Sequence, residues 1–300
     1  MDFRHWRSAG VVAVIFATVL LVTGCQMLEP TATPSPAEVA ELVEEAVAAY
    51  PLAATAWDLD FIGEPGDSLE LLPETRATLV YFWDRYAGFD GCNWFLGAYS
   101  ATDAGELSMF TPARTRDLCS PEEVYEQSLL VVGALQNATA FAVTDDQLVV
   151  STVDDQRLLT FNPATPIPVP GTEWELKFWW HGEREEWLPV IPGSMTTITF
   201  AAGGEASGSA GCNNYTTTYT GDLQIEKVME ATETYAELPA LTFGPVAAQL
   251  MECAEPEGIM EQEQGFLTTL SSVAYYFKLG GINMFLDADG MPLLLFGARN

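Results

Sequence analysis

The sequence predicts a mainly β, α+β protein: two tandem, compact, antiparallel β-barrel-like domains, each with one helix. Three observations predict it. Gly91-Cys92-Asn93 recurs as Gly211-Cys212-Asn213, with its surroundings repeated in the same order. Most apolar runs alternate at period two, the mark of a half-buried strand. A proline-rich break at Pro163, Pro166, Pro168 and Pro170 separates the two copies.

Taken in order, residues 1–24 carry the zones of a secretory signal: basic Arg4 and Arg7, the apolar run Val11 to Val22, then small residues before a cysteine. That run is short for a membrane span. Leu21-Val22-Thr23-Gly24-Cys25 resembles the lipobox of bacterial lipoproteins, so Cys25 is expected as a lipidated N-terminus; an ordinary signal peptide is the alternative. Export to the extracytoplasmic side of the cell envelope follows, with Gln26 after Cys25 favouring the outer membrane where the cell has two. Residues 25–36, rich in Pro and Thr, read as an extended tether. Residues 37–50 place Val39, Leu42, Val43, Ala46, Val47 and Tyr50 at helical spacing behind a Ser35-Pro36-Ala37-Glu38 capping box, an amphipathic helix.

Domain 1 covers 53–162. Its strands are expected at Thr78–Phe82, Ala140–Val143 and Gln147–Val150, with turns at Asp145-Asp146 and Asp154-Asp155. Its helix is expected to start from a capping box at Ser120-Pro121-Glu122-Glu123, with Tyr125, Leu129 and Val132 on one side. The linker 163–171, if polyproline II, spans roughly 20 to 25 Å and leaves two beads with a limited hinge. Domain 2, residues 172–300, repeats the order. Trp57 matches Trp174, Leu79-Val80-Tyr81 matches Ile198-Thr199-Phe200, and Leu107 to Cys119 lies ungapped on Leu241 to Cys253. Phe141, Val143, Leu148 and Val150 are matched to Tyr275, Phe277, Ile282 and Met284, and Leu159-Thr160-Phe161 to Leu294-Leu295-Phe296. The second helix falls at about Glu257 to Leu270, and a fourteen-residue excursion lies between Tyr219 and Leu241.

The Trp-x-Leu opening, the Gly-Cys-Asn centre followed by tyrosine, the Thr-x-x-x-Cys segment and the leucine-rich closing hairpin resemble the META/HslJ family. Trp57, Gly91, Cys92, Asn93, Phe95, Gly97, Tyr99, Thr115 and Cys119 carry the likeness in copy one; Trp174, Gly211, Cys212, Asn213, Tyr215, Tyr219 and Cys253 carry it in copy two. Copy two departs from it with Gln249 in place of the threonine and Thr217 in place of the second glycine. The resemblance implies a compact antiparallel barrel in an envelope lipoprotein linked to stress or antibiotic tolerance, with no catalytic residues to carry over.

The formal net charge is −30; removing residues 1–24 takes two of 12 Lys+Arg and one of 42 Asp+Glu, leaving 10 − 41 = −31. Such a surface repels nucleic acid and anionic head groups, so membrane contact should come through the lipid on Cys25. With Cys25 set aside, four cysteines sit at matching places, which favours disulfides Cys92 to Cys119 and Cys212 to Cys253; pairs of buried free thiols are the alternative. No Cys-x-x-Cys occurs and only His181 follows the signal, so no metal or cofactor is expected. Asp287-Ala288-Asp289-Gly290 starts like a calcium loop, lacks the later ligand and reads as a hairpin turn. Asn93 and Asn213 read as turn residues bonding to nearby backbone.

Aromatics are the functional lead. Trp83, Tyr86, Phe89 and Trp94 crowd the first Gly-Cys-Asn hairpin whereas copy two has Ala201, Ala202, Gly203, Gly204 and Ser207, and Trp179, Trp180 and Trp187 form a second candidate ligand or partner patch. The resulting expectation is a monomeric, non-enzymatic lipoprotein that binds or stabilises an envelope protein, or a small apolar or sugar ligand. A lipocalin-like carrier with an internal cavity and a hydrolase centred on His181 are the alternatives.

Overall fold

The computed structural model describes residues 51–64, 69–73, 75–110, 113–144, 146–154, 156–223 and 238–299. The signal, Cys25, the tether, the helix expected at 37–50 and most of the excursion in the second copy lie outside the described residues.

Two sheets of the same topology form the molecule. In the first, β1 (Thr55–Ile62) lies between β3 (Ala77–Phe82) and β10 (Arg157–Pro163); β4 (Arg85–Asp90), β5 (Trp94–Ala101) and β6 (Leu107–Met109) extend one side, β9 (Gln147–Ser151) and β8 (Ala140–Thr144) the other. In the second, β11 (Glu173–His181), β13 (Thr197–Phe200) and β20 (Pro292–Ala298) take the central places; β14 (Glu205–Ser209), β15 (Asn214–Thr220) and β16 (Thr242–Phe243) lie to one side, β19 (Ile282–Leu286) and β18 (Tyr275–Leu279) to the other. Short strands β2 (Leu69–Glu70), β7 (Ala113–Arg114), β12 (Glu186–Pro189) and β17 (Ala247–Ala248) pair off these paths at matching positions. Each sheet curls until its outer strands meet. Phe141 N donates to Gly105 O at 2.8 Å, and Leu241 N donates to Ala274 O at 2.9 Å, which removes the open edges.

Both interiors are filled with side chains. Tyr81, Tyr86, Phe95, Tyr99 and Phe161 occupy the first barrel and Trp174, Phe200, Tyr215, Phe285 and Phe296 the second. Among the described residues these rings take the space that a lipocalin-like cavity would need. Burial pushes the Tyr86 and Tyr215 hydroxyls well up; burial, then Tyr99 and Tyr86, does the same for Tyr81. They stay neutral donors, Tyr86 to Phe110 O and Tyr215 to Thr197 O, both at 2.9 Å.

Helices α1 (Glu122–Asn137) and α2 (Ile259–Leu270) stand where expected, but two details differ. No side chain caps α1, which starts from Pro121 with Glu122 and Glu123 facing its positive end. Its buried side is Gln127, Ser128, Val131 and Leu135; Tyr125 and Leu129, expected on the apolar face, are exposed. Polar Gln127 and Ser128 take core positions because each has an internal hydrogen-bond partner, which the apolar periodicity could not show.

The register of the closing hairpins corrects one part of the repeat. Val150 pairs with Leu159 and Phe285 with Leu294, so Val150 corresponds to Phe285, and Leu148 to Asn283. The sequence matches of Val150 and Leu148 to Met284 and Ile282 are one residue out, and so are those of Phe141 and Val143 to Tyr275 and Phe277, since Phe141 pairs with Val150 as Tyr276 pairs with Phe285. Such a slip exchanges inward for outward positions. Alternation could not expose it, because all five residues of β19 are buried.

The bead-and-hinge expectation also fails. Val80, Phe82, Ala87, Trp94 and Leu96 of the first barrel share one buried cluster with Phe178, Trp187, Phe277, Leu279, Ile282, Met284, Leu286 and Leu295 of the second. The linker is tied to both sides: Ala164 N donates to Ala56 O at 2.9 Å, while Val169 is fully buried and its carbonyl accepts from Trp174 Nε1 at 3.1 Å.

Candidate functional site

The recurring triplets form matching clasps. Gly91 and Gly211 have φ of 94° and 115°, left-handed values that suit glycine. The cysteines that follow are bridged, Cys92 to Cys119 and Cys212 to Cys253, with Cα separations of 5.7 and 5.9 Å. Asn93 and Asn213 do more than shape a local turn. Asn93 Oδ1 accepts from Asp117 N at 2.8 Å and Thr115 Oγ1 at 2.9 Å, and Asn213 Oδ1 accepts from Met251 N at 2.8 Å. Each asparagine therefore sews its turn to the distant segment that the disulfide also holds.

A buried carboxylate completes each clasp, and it comes from different elements. In the first barrel Asp90 Oδ1 accepts from Cys92 N and Asn93 N at 2.9 and 2.7 Å, and Oδ2 from Arg114 Nε at 3.0 Å; Arg114 Nη2 also donates to Ser128 Oγ. In the second, Ala210 stands at the Asp90 position, and Glu263 Oε2 from α2 accepts from Cys212 N and Asn213 N at 3.1 and 2.7 Å. Glu263 stands where the first helix has Ser128. Strand carboxylate with helix serine has become strand alanine with helix carboxylate. Burial pushes the Asp90 carboxyl up, opposed by its bonds from Asn93, Arg114 and Cys92.

The sequence reading missed Gln127 and Gln262. Gln127 Oε1 accepts from Leu72 N, and Gln262 Oε1 from Ile191 N, each at 2.7 Å; their amides donate to Thr75 Oγ1 and Ser194 Oγ at 2.9 Å. The signal was a glutamine one residue before Ser128 in one helix and before Glu263 in the other. The departures in copy two are compensated. Gln249 Oε1 accepts from Asn214 N at 3.4 Å, as Thr115 Oγ1 accepts from Trp94 N at 3.0 Å. A Cβ at Gly97 would meet the Tyr86 ring at 2.7 Å, whereas Thr217 pairs with Ala206 and has room.

Five of the seven aromatic candidates converge on one place, while Trp179 belongs to the core of the second barrel. Trp94 (7% exposed) and Phe89 stack at 5.2 Å on the outer face of the first barrel; Trp83 meets Phe277 at 5.9 Å, and Lys177 Nζ lies 5.4 Å from the Trp94 ring centre. Trp180 and Trp187, 6.1 Å apart, belong to the same junction. Tyr86 is separate, buried inside the first barrel. The crowding of rings in copy one is thus the surface on which copy two is seated.

Beside that junction opens a cleft of about 370 Å³. Arg116 of the first barrel faces Trp179, Arg184, Leu188, Val190, Pro192 and Glu261 of the second. His181 ends β11 at the hairpin tip, its Nδ1 accepting from Arg184 N at 3.3 Å and its Nε2 lying 3.6 Å from Glu261 Oε1. Among the described residues no group of three His, Cys, Asp or Glu is placed to hold a metal ion.

Paired closed barrels, each locked by a disulfide, an asparagine and a buried carboxylate, define a small disulfide-stapled β-barrel class built in duplicate. The META domain family profile matches residues 50–165 and again 167–300, and the chain belongs to that family. No curated protein matches it. Among solved structures it is similar to a protein from Burkholderia xenovorans, 21% identical over 46% of this chain and 92% of that one, with a TM-score of 0.32. A DUF4847 family protein from Bacteroides vulgatus is 14% identical over 37% of this chain and 93% of that one, with a TM-score of 0.27.

Proposed function

We propose that the chain is a non-enzymatic envelope lipoprotein, tethered through Cys25, whose paired META domains act as one body that binds or stabilises an envelope partner under stress. One observation carries binding over catalysis: the polar groups of the recurring motif are spent on the fold. Asp90, Asn93, Asn213 and Glu263 all bond to backbone within their clasps, which leaves them unsuited to proton transfer. Among the described residues the polar contacts of His181 are to Glu261 and to the Arg184 backbone, neither of which is a nucleophile for a hydrolase.

Native mass spectrometry of protein extracted from its own membrane tests the reading. The expected mass is that of a chain lipidated at Cys25 and accompanied by a protein partner, and Cys25→Ser should release the protein into the soluble fraction. An unmodified, unaccompanied chain would overturn it.

A further inference from the structure

We propose that the cleft between the two barrels binds a small monoanion with an apolar body, most simply a carboxylate attached to a hydrophobic group. The inference deepens the binding function proposed above by naming a ligand class.

The charge at this place is out of keeping with the chain. Against 42 acidic residues the sequence has 12 Lys and Arg, yet Arg116 and Arg184 both line one cleft. Arg116 is exposed and makes no ion pair among the described residues. Arg184 Nη2 reaches Glu261 Oε1 at 3.6 Å, a loose contact that leaves its fork available. Two guanidinium groups and one carboxylate leave a single positive charge. A monoanion neutralises it, whereas a dianion would add charge within a strongly negative molecule.

Arg116 is also held in position. The residues on either side of it are pinned, Thr115 N to Trp94 O at 2.9 Å and Asp117 N to Asn93 Oδ1 at 2.8 Å, and the loop ends at the Cys92 to Cys119 bridge. A surface arginine needs no such staple for solubility. Opposite it, Leu188, Val190, Ile191 and Pro192 give an apolar wall, and the volume lies within the range of small-molecule sites. Leu250 stands at the Arg116 position in the second copy, so the site needs both barrels and a single META domain would lack it.

The test is calorimetric titration of the full chain in detergent with 2-naphthoate, its neutral analogue 2-naphthamide, and acetate. Naphthoate should bind saturably, and naphthamide and acetate at least about tenfold more weakly, because each lacks one half of the recognition. Arg116→Ala and Arg184→Ala should each weaken naphthoate about tenfold or more, with Arg116→Lys falling between and Arg157→Ala, away from the cleft, unchanged. Because the Arg116 side chain makes no hydrogen bond or ion pair among the described residues, its variants should fold, which circular dichroism checks. Equal binding of naphthamide, an Arg116→Ala variant that binds as the parent does, or no saturation below about 10 mM would each overturn the assignment. A protein partner found on the membrane-extracted chain would survive that result, so the two readings fail separately.

Discussion

Replacing Gly297 by alanine should destabilise the chain only while Trp94 is present. A Cβ at Gly297 would lie 2.8 Å from Trp94 Cε2 and closer still to Cζ2 and Cη2 on the six-membered ring, atoms of a rigid indole that is itself wedged between Phe89 and the second barrel. Overpacking of this kind costs about 1 to 3 kcal/mol. Trp94→Ala alone removes a large buried ring and should cost about 3 to 5 kcal/mol. With the indole gone the added methyl meets no obstacle, and alanine for glycine in a strand then stabilises by about 0.4 to 1 kcal/mol through the unfolded chain. The two substitutions are thus expected to couple by roughly 1.5 to 4 kcal/mol. Urea unfolding of the four proteins, followed by fluorescence and circular dichroism, measures the cycle. If Gly297→Ala costs the same in both backgrounds to within about 0.5 kcal/mol, the two barrels do not share this contact and the single-body description fails.

Reducing the bridges should lower stability by about 3.5 kcal/mol for Cys92 to Cys119 and about 4 kcal/mol for Cys212 to Cys253, following their separations of 27 and 41 residues; Cys-to-Ser pairs read by denaturation check the order. Gln262→Ala orphans the half-buried Ile191 N–H and should cost about 1 to 3 kcal/mol, and Gln127→Ala should match it, measured by thermal unfolding. Asp90 has a raised carboxyl pKa in the folded state, so its contribution is complete below the unfolded value and is lost as pH rises through the folded one. Asp90→Asn, expected to cost about 1 to 3 kcal/mol because its amide faces Arg114, should flatten the fall in urea midpoint that sets in as pH rises above the ordinary carboxylate value of about 4; an unchanged slope would show that Asp90 does not set it.

The barrels and their bridges were legible because they rest on period-two alternation and on cysteines repeated in register. Trp57 and Leu59 alternate visibly with Asp58 and Asp60. The junction was not legible in the same way. Strands Ala77–Phe82 and Ile282–Leu286 are buried at every residue, the pattern of a strand covered on both faces. A continuous apolar run says that a second surface exists and does not say what covers it, so the rings of copy one read equally well as a ligand patch. The exchange of Asp90 and Ser128 for Ala210 and Glu263 lay beyond sequence reasoning for another reason. It pairs a strand end with a helix whose relative placement only the fold defines.

The junction also explains why the two copies diverged where they did. The first barrel offers β3, β4 and β5; the second offers β18, β19 and β20, a head-to-tail contact between unlike faces of like modules. Such a contact, if both faces persisted on both modules, would add further copies as a ring or an open filament. The unused faces have changed accordingly. Where the first barrel presents Val80, Phe82, Ala87, Phe89, Trp94 and Leu96, the paired registers put Thr199, Ala201, Ser207, Ser209, Asn214 and Thr216 in the second. Where the second presents Phe277, Met284 and Leu295, the first has Ala142, Val149 and Thr160. Large apolar side chains are kept on the two surfaces that meet and are replaced by smaller or polar ones on the two that would extend the stack. The aromatic imbalance between copies, the continuous burial of two strands and the scarcity of rings around the second Gly-Cys-Asn turn are thus all accounted for by one contact between unlike faces.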